Sequence, residues 1–369
     1  MRFFNIDLHV SVIEDMATQF EALGHAVESH LMSGHAWTLG RQRASRGVFP
    51  NTVGYGSLNE HNWEGFFRGG PDFKNAKLWQ EENKHLDEFD GFISTYPPAF
   101  FLLYEGFRGK NIVNIPVRYD LCFVPDAELM FEANRRLVEG VERGKTVVVA
   151  NSVYDARYYE YFTGQKCRHI SSTCDYVDRF APKWSGTESH FYAFGERAAC
   201  AAAQNRTPLV KDVRQHLGER YHYADIPKAR GIVWFPYTTS IMSFFEHYWL
   251  GIPLFVPSKK FLLELFDRKL ALSSFSWHDK PLDGSILPPA GTYMPDPHTR
   301  KGVESWLDTY DFYNESEFPY VTYFDSGEHL QYIVETTSRE SLTVTSYSMN
   351  AHNSKRRERN LAAWKEVLT

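Results

Sequence analysis

Short apolar runs alternate with amphipathic stretches along the whole chain, and that rhythm predicts β-strands joined by α-helices. The opening run RFFNIDLHV predicts a strand, SVIEDMATQFEALG a helix with an apolar face, and HAVESHLM a second strand. Ser11 with Glu14 has the spacing of a capping box, and Gly24 the place of a helix stop. Further strands are predicted at FDGFIST (89–95), KNIVNIPV (110–117), KTVVVANS (145–152) and CRHISSTCDYV (167–177), with a helix over 124–144. Parallel strands connected by helices imply a doubly wound sheet.

DRFAPKWSGTES (178–189) breaks the pattern with turn formers and is read as a linker. A second series follows. SHFYAFG, RYHYAD, GIVWFPY, IPLFVPS and YVTYFDS predict strands; PLVKDVRQHLG, IPKAR, SIMSFFEHYWLG, KKFLLELFDRKLA and a C-terminal stretch predict helices. The expected organisation is α/β: a Rossmann-like domain over 1–178, a second over 190–347, and a helix over 348–369 returning to the first domain. Two such domains facing each other would form a central cleft.

Composition narrows the function classes. Hydrophobic residues make up 43% of the 369, aromatics 16%, enough for two cores. A net charge of -6 argues against nucleic acid as a partner, and the basic run SKRRER (354–359) reads as a solvated helix face. No run is long and apolar enough to span a membrane, and the N-terminus has no signal-peptide pattern. Cys122, Cys167, Cys174 and Cys200 lack metal-ligand spacing. A cytoplasmic setting is expected.

The chemistry concentrates in PYTTSIMSFFEHYWLGIPLFVPS (236–258). A strand ends, a hydroxyl-rich turn follows, and a helix begins near Ser240. Helix N-termini present free N–H groups and a positive dipole end, which suit phosphate. Ser240, Ser243 and Glu246 share a helical face, and a carboxylate accepts a vicinal ribose diol well. Phosphate at the helix tip with ribose on Glu246 describes a nucleotide. The bland alternatives are an N-cap for Ser240 and a neighbouring Arg or Tyr for Glu246. His247 reads as packing.

The stretch YHYADIPKARGIVWFPYTTSIMSFFEHYWLGIPLFVPSKKFLLELF (221–266) resembles the nucleotide-sugar-binding half of GT-B glycosyltransferases. It departs from the commonest version at HYWLGIPLF, where a second acidic residue would stand. The resemblance implies a transferase moving a sugar from a nucleotide-diphosphate donor to a hydroxyl of a glycan acceptor, without metal or cofactor and with inversion. The alternatives are a nucleotide-sugar 2-epimerase and a non-catalytic nucleotide or glycan-binding module. The donor-side residues it implies are Gly195 for close backbone approach, Arg197 or Arg206 for the diphosphate, and Tyr223 beside the base. On the acceptor side it implies His9 as base with Asp7 as orienter. His35, Glu60, His61, Arg118, Asp120 and Asp155 are expected to line the acceptor cleft.

Overall fold

The computed structural model describes residues 1–32, 51–52, 56–58, 62–63, 72–116, 127–273, 295 and 299–369. They contain two parallel sheets, each in its own compact unit. The expected α/β class with two Rossmann-like domains is what the chain adopts.

The first unit covers residues to Ser172 together with Leu361–Thr369. Its strands are β1 (Arg2–Asp7), β2 (Ala26–Leu31), β5 (Gly91–Ser94), β6 (Lys110–Ile115), β7 (Thr146–Ala150) and β8 (Arg168–His169), in the order β2-β1-β5-β6-β7-β8. A two-residue hairpin pair, β3 (Asn51–Thr52) and β4 (Gly56–Ser57), stands apart from it. The helices are α1 (Val10–Ala22), α2 (Lys74–Glu82), α3 (Phe101–Tyr104), α4 (Ala127–Glu142) and α5 (Val153–Thr163). Strands covered on both faces read as unbroken apolar runs, and Phe4, Ile6, Phe92, Ile93, Val113, Ile115 and Val149 are fully buried. Phe92 stacks on Tyr104 and Phe107 at 4.8 and 5.0 Å. Each such ring contributes about 1.5–3 kcal/mol by leaving water.

Two local expectations for α1 divide. Gly24 follows the helix with φ +81 and its N–H on the Glu21 carbonyl at 3.0 Å, a left-handed stop that suits glycine. The capping box does not form: the helix starts one residue earlier, His9 stands at the N-cap without a side-chain cap, and Ser11 is buried inside the first turn.

The second unit runs over Thr173–Asp279 and Met294–Asn360. Its strands β9 (Phe191–Gly195), β10 (Val210–Asp212), β11 (Gly231–Phe235), β12 (Leu254–Pro257) and β13 (Thr322–Phe324) are ordered β10-β9-β11-β12-β13. The helices are α6 (Arg197–Arg206), α7 (Val213–Leu217), α8 (Met242–Trp249), α9 (Lys259–Asp267), α10 (Arg300–Trp306), α11 (Gly327–Thr336) and α12 (Arg339–Leu368). The expected strand RYHYAD is absent. Val210–Asp212 pairs with β9 instead, inside the window read as a helix, and Asp212 then caps the short α7 with its side chain. The residues 178–189 belong to this unit rather than forming a boundary: Trp184 donates its N–H to the Leu250 carbonyl and its Nε1 to the Ala229 carbonyl.

The helix α12 starts ahead of the expected residue 348, and only its end groups with the first unit. There Trp364 meets Phe20 edge-on at 5.2 Å. Among the described residues no helix is long and apolar enough to cross a membrane.

Candidate functional site

In the second unit the backbone leaves β11 at Phe235 and reaches α8 at Met242, through Pro236–Ile241. Thr238, Thr239 and Ser240 are 4%, 1% and 2% exposed, so this hydroxyl-rich turn is a buried one. The Oγ1 of Thr238 and the Oγ of Ser240 have no hydrogen-bond partner. A buried polar atom without a partner keeps its desolvation cost of about 1–3 kcal/mol, so such atoms call for an explanation. Capping does not supply it: Ile241, not Ser240, is the N-cap of α8, and no side chain caps the helix. The first N–H groups of α8 and two buried hydroxyls therefore lie within the same short segment, at the carboxyl end of a parallel strand where ligands of such sheets bind.

Glu246 lies one turn into α8 and is 1% exposed. Its carboxyl group is accounted for by tyrosines: Tyr176 donates to Oε1, and Tyr223 to Oε2 at 2.6 Å. Burial, with the Glu246 carboxyl next in effect, pushes both phenols well above the ordinary tyrosine range, so both stay protonated donors. Thus the tyrosine alternative for Glu246 is realised, and Tyr223, expected beside the base, is part of the clamp. The apolar surroundings come from α8 itself: Phe244, Phe245 and Tyr248 pack on Phe318 at 5.3, 5.3 and 5.1 Å. Ser243 is half-buried in the first turn of α8. His247 is held between Phe194 and Trp234, at 4.7 and 5.5 Å, and burial lowers its pKa to about 3.

Gly195 ends β9 with φ +108, and an added Cβ would stand 1.8 Å from the Phe235 carbonyl oxygen. Only glycine permits this approach of β9 to the end of β11, where the Glu196 N–H bonds the same carbonyl at 2.9 Å. The arginines are found in ion pairs. Arg197 opens α6 and is largely exposed, paired with Glu219 at 3.4 Å. Arg206 closes the same helix, about 14 Å further along by the helical rise, and pairs with Glu328 at 2.8 Å. Both arginines are thus engaged in ion pairs.

In the first unit Asp7 ends β1 and is fully buried. It accepts from the Thr95 hydroxyl, from Asn5 Nδ2 at 3.2 Å and from the His9 backbone N–H at 2.8 Å. Burial outweighs these bonds and raises its pKa to about 6. The expected orienter therefore acts on the His9 backbone, fixing the turn into α1, while the imidazole lies edge-on to Tyr96 at 5.9 Å. Asp155 is buried at the start of α5, where the Ser152 hydroxyl donates to its carboxyl and accepts from its N–H, an N-cap arrangement. The remaining expected residues, His35, Glu60, His61, Arg118 and Asp120, lie outside the described residues.

Sequence reasoning passed over four residues that the structure singles out. Tyr176 lies seventy positions from Glu246 with no local signal. Thr238 was read only as part of a turn. Ser94 and Asn114, near the carboxyl ends of β5 and β6, are buried with the Ser94 hydroxyl and Asn114 Oδ1 unpartnered. Among the described residues no group of three or more His, Cys, Asp or Glu could hold a metal ion.

Comparison with protein-family models finds no match, nor does comparison with curated proteins. Among solved structures the chain is similar to S. aureus MnaA in its co-structure with UDP, at 12% identity and a TM-score of 0.42, over 90% of this chain and 94% of that one. The expected sugar transfer to a glycan hydroxyl is corrected: no comparison gives it support, and the nucleotide-sugar 2-epimerase held as its alternative is carried forward as a proposal.

Proposed function

We propose that the second unit binds the nucleoside diphosphate of a nucleotide sugar and that the chain is a nucleotide-sugar 2-epimerase. The observation that carries the binding is the pair of buried, unpartnered hydroxyls of Thr238 and Ser240 ahead of α8. Phosphate oxygens are acceptors, and both hydroxyls and the first N–H groups of the helix are donors. Glu246, held by Tyr176 and Tyr223, is the carboxylate assigned to the ribose hydroxyls in this reading.

Epimerisation at C2 removes the C2 proton as the C1–O bond to the nucleoside diphosphate breaks, leaving a C1=C2 double bond. The proton then adds to the opposite face of C2 as the diphosphate oxygen returns to C1, so the step needs a group that exchanges protons near neutrality. His9 is proposed for that transfer, with Asp7 as its positioning residue through the backbone bond at 2.8 Å. No acceptor substrate is required. The test is incubation of a UDP-sugar with the protein alone in D2O, followed by NMR. The reading expects the C2 epimer with deuterium at C2. His9→Ala should slow that exchange on the order of 10²-fold while UDP still raises the melting temperature. UDP binding with no epimer and no deuterium would contradict the epimerase reading.

A further inference from the structure

The first unit holds a cavity of about 290 Å³ at the amino ends of its central strands, the edge opposite to Asp7. Asn111 near the start of β6 and Thr146 at the start of β7 form its floor; Arg135, Glu139, Arg143 and Lys145 are among its walls. The Asn111 backbone is used in the sheet, its N–H bonding the Lys145 carbonyl at 2.9 Å. Its side chain is not used. At 1% exposure both the Oδ1 and the Nδ2 of Asn111 lack a partner. A buried amide with donor and acceptor both idle is unusual, because either alone is ordinarily satisfied.

The walls carry more positive than negative charge. Arg135 is tied between Glu132 and Glu139, and Arg136 between Glu132 and Glu105. Arg143 bonds one oxygen of Glu139 at 3.2 Å through one nitrogen and is largely exposed. Lys145 donates to the carbonyls of Phe107 and Gly109, which leaves one of its three N–H bonds. The two basic groups with spare donors thus flank the idle amide. Gly140 of α4 shapes the floor: a Cβ there would stand 2.6 Å from the Thr146 hydroxyl.

We propose that this cavity is a second ligand site, independent of the nucleotide site, for a small anion that also carries hydroxyls, the chemistry of a sugar phosphate. Arg143 and Lys145 take the phosphate, and the Asn111 amide donates to and accepts from the hydroxyls. The idle pair on Asn111 calls for a ligand that is both donor and acceptor, which inorganic phosphate alone satisfies poorly.

The test is calorimetric titration of the full chain with glucose 1-phosphate and, separately, with inorganic phosphate. Saturable binding of the sugar phosphate is expected, tighter than that of phosphate. Asn111→Leu, which fills the amide's place with an apolar group of similar size, should weaken it at least about tenfold. Arg143→Ala, at an exposed position that folding does not need, should weaken both ligands about fivefold. Should Asn111→Leu fail to fold, the Arg143→Ala titration still decides. The proposal is overturned by absence of saturable binding at millimolar concentration. It is equally overturned if sugar phosphate binds unchanged to both variants, or is lost only on Thr238→Val/Ser240→Ala, which would put it in the nucleotide site.

Discussion

Two buried carboxyl groups, one in each unit, show how the same residue chemistry is held in two ways. Asp7 ends its strand and takes its bonds from Thr95, the His9 backbone and Asn5 of the same strand, all groups of the first unit. Glu246 sits inside a helix and takes its bonds from two tyrosine hydroxyls, Tyr176 and Tyr223, which come from other segments of the second unit. Beside Asp7 the neighbouring backbone is organised for a turn. Ahead of Glu246 the neighbouring hydroxyls of Thr238 and Ser240 are buried and idle. The difference lies in how each is held: Asp7 is fixed by groups close to it at its own sheet edge and in turn holds the His9 backbone, whereas Glu246 is fixed by tyrosines brought in from distant segments, with the idle Thr238 and Ser240 hydroxyls earlier in the same segment.

The largest expected effect breaks the Glu246 clamp. Glu246→Ala leaves two buried tyrosine hydroxyls without an acceptor and should cost about 4 kcal/mol, taking roughly 2 kcal/mol for each. Chemical denaturation measures it, and Glu246→Gln, which keeps an acceptor, should recover more than half. Equal losses in the two variants would mean that the tyrosines do not depend on the carboxyl.

The next effect tests Asp7 through pH. Its folded pKa, about 6, is raised from 3.8, so protonation favours the folded state. The contribution is fully present below about pH 4 and is lost as pH rises through 6, on the order of 3 kcal/mol in all. Stability measured between pH 4 and 7 should therefore fall in the wild type relative to Asp7→Asn. A parallel pH dependence of the two proteins would contradict the burial argument.

His247, next to Glu246, should show the opposite sign. Its folded pKa is lowered to about 3 from 6.5, so its contribution is present above pH 6.5 and is lost as pH falls. Between pH 6.5 and 5 the loss is about 2 kcal/mol. His247→Phe, which keeps an aromatic ring between Phe194 and Trp234, should remove that acid sensitivity; retention of it would place the proton elsewhere.

What the sequence made legible follows from the range of the forces involved. KTVVVANS and GIVWFPY are apolar runs long enough to declare central strands by themselves, and both are strands. RYHYAD was misread and Val210–Asp212 overlooked because a three-residue strand has no periodicity of its own; pairing with β9 decides it. At the site, the oddity of Glu246 in an apolar helix was visible, since a buried carboxyl needs a partner. The identity of that partner was not, because Tyr176 is brought in by tertiary packing. Ser240 was legible as a polar group at a helix start, but its having no capping role depends on a one-residue shift to Ile241 that propensities do not resolve. Arg197 and Arg206 follow a strand in the chain, which makes them legible as candidate cations, but their ion pairs are set by Glu219 and Glu328 from other elements.

The central claim is that the idle hydroxyls ahead of α8 await a nucleoside diphosphate, and one experiment addresses it directly. UDP is titrated calorimetrically into the wild type and into Thr238→Val/Ser240→Ala, with melting curves of both. The account predicts that removing two unpartnered buried hydroxyls leaves stability unchanged or higher, while UDP affinity falls at least about fivefold, roughly 1 kcal/mol. Equal UDP affinity in the two proteins, or a variant that loses stability as though hydrogen bonds had been cut, would contradict it.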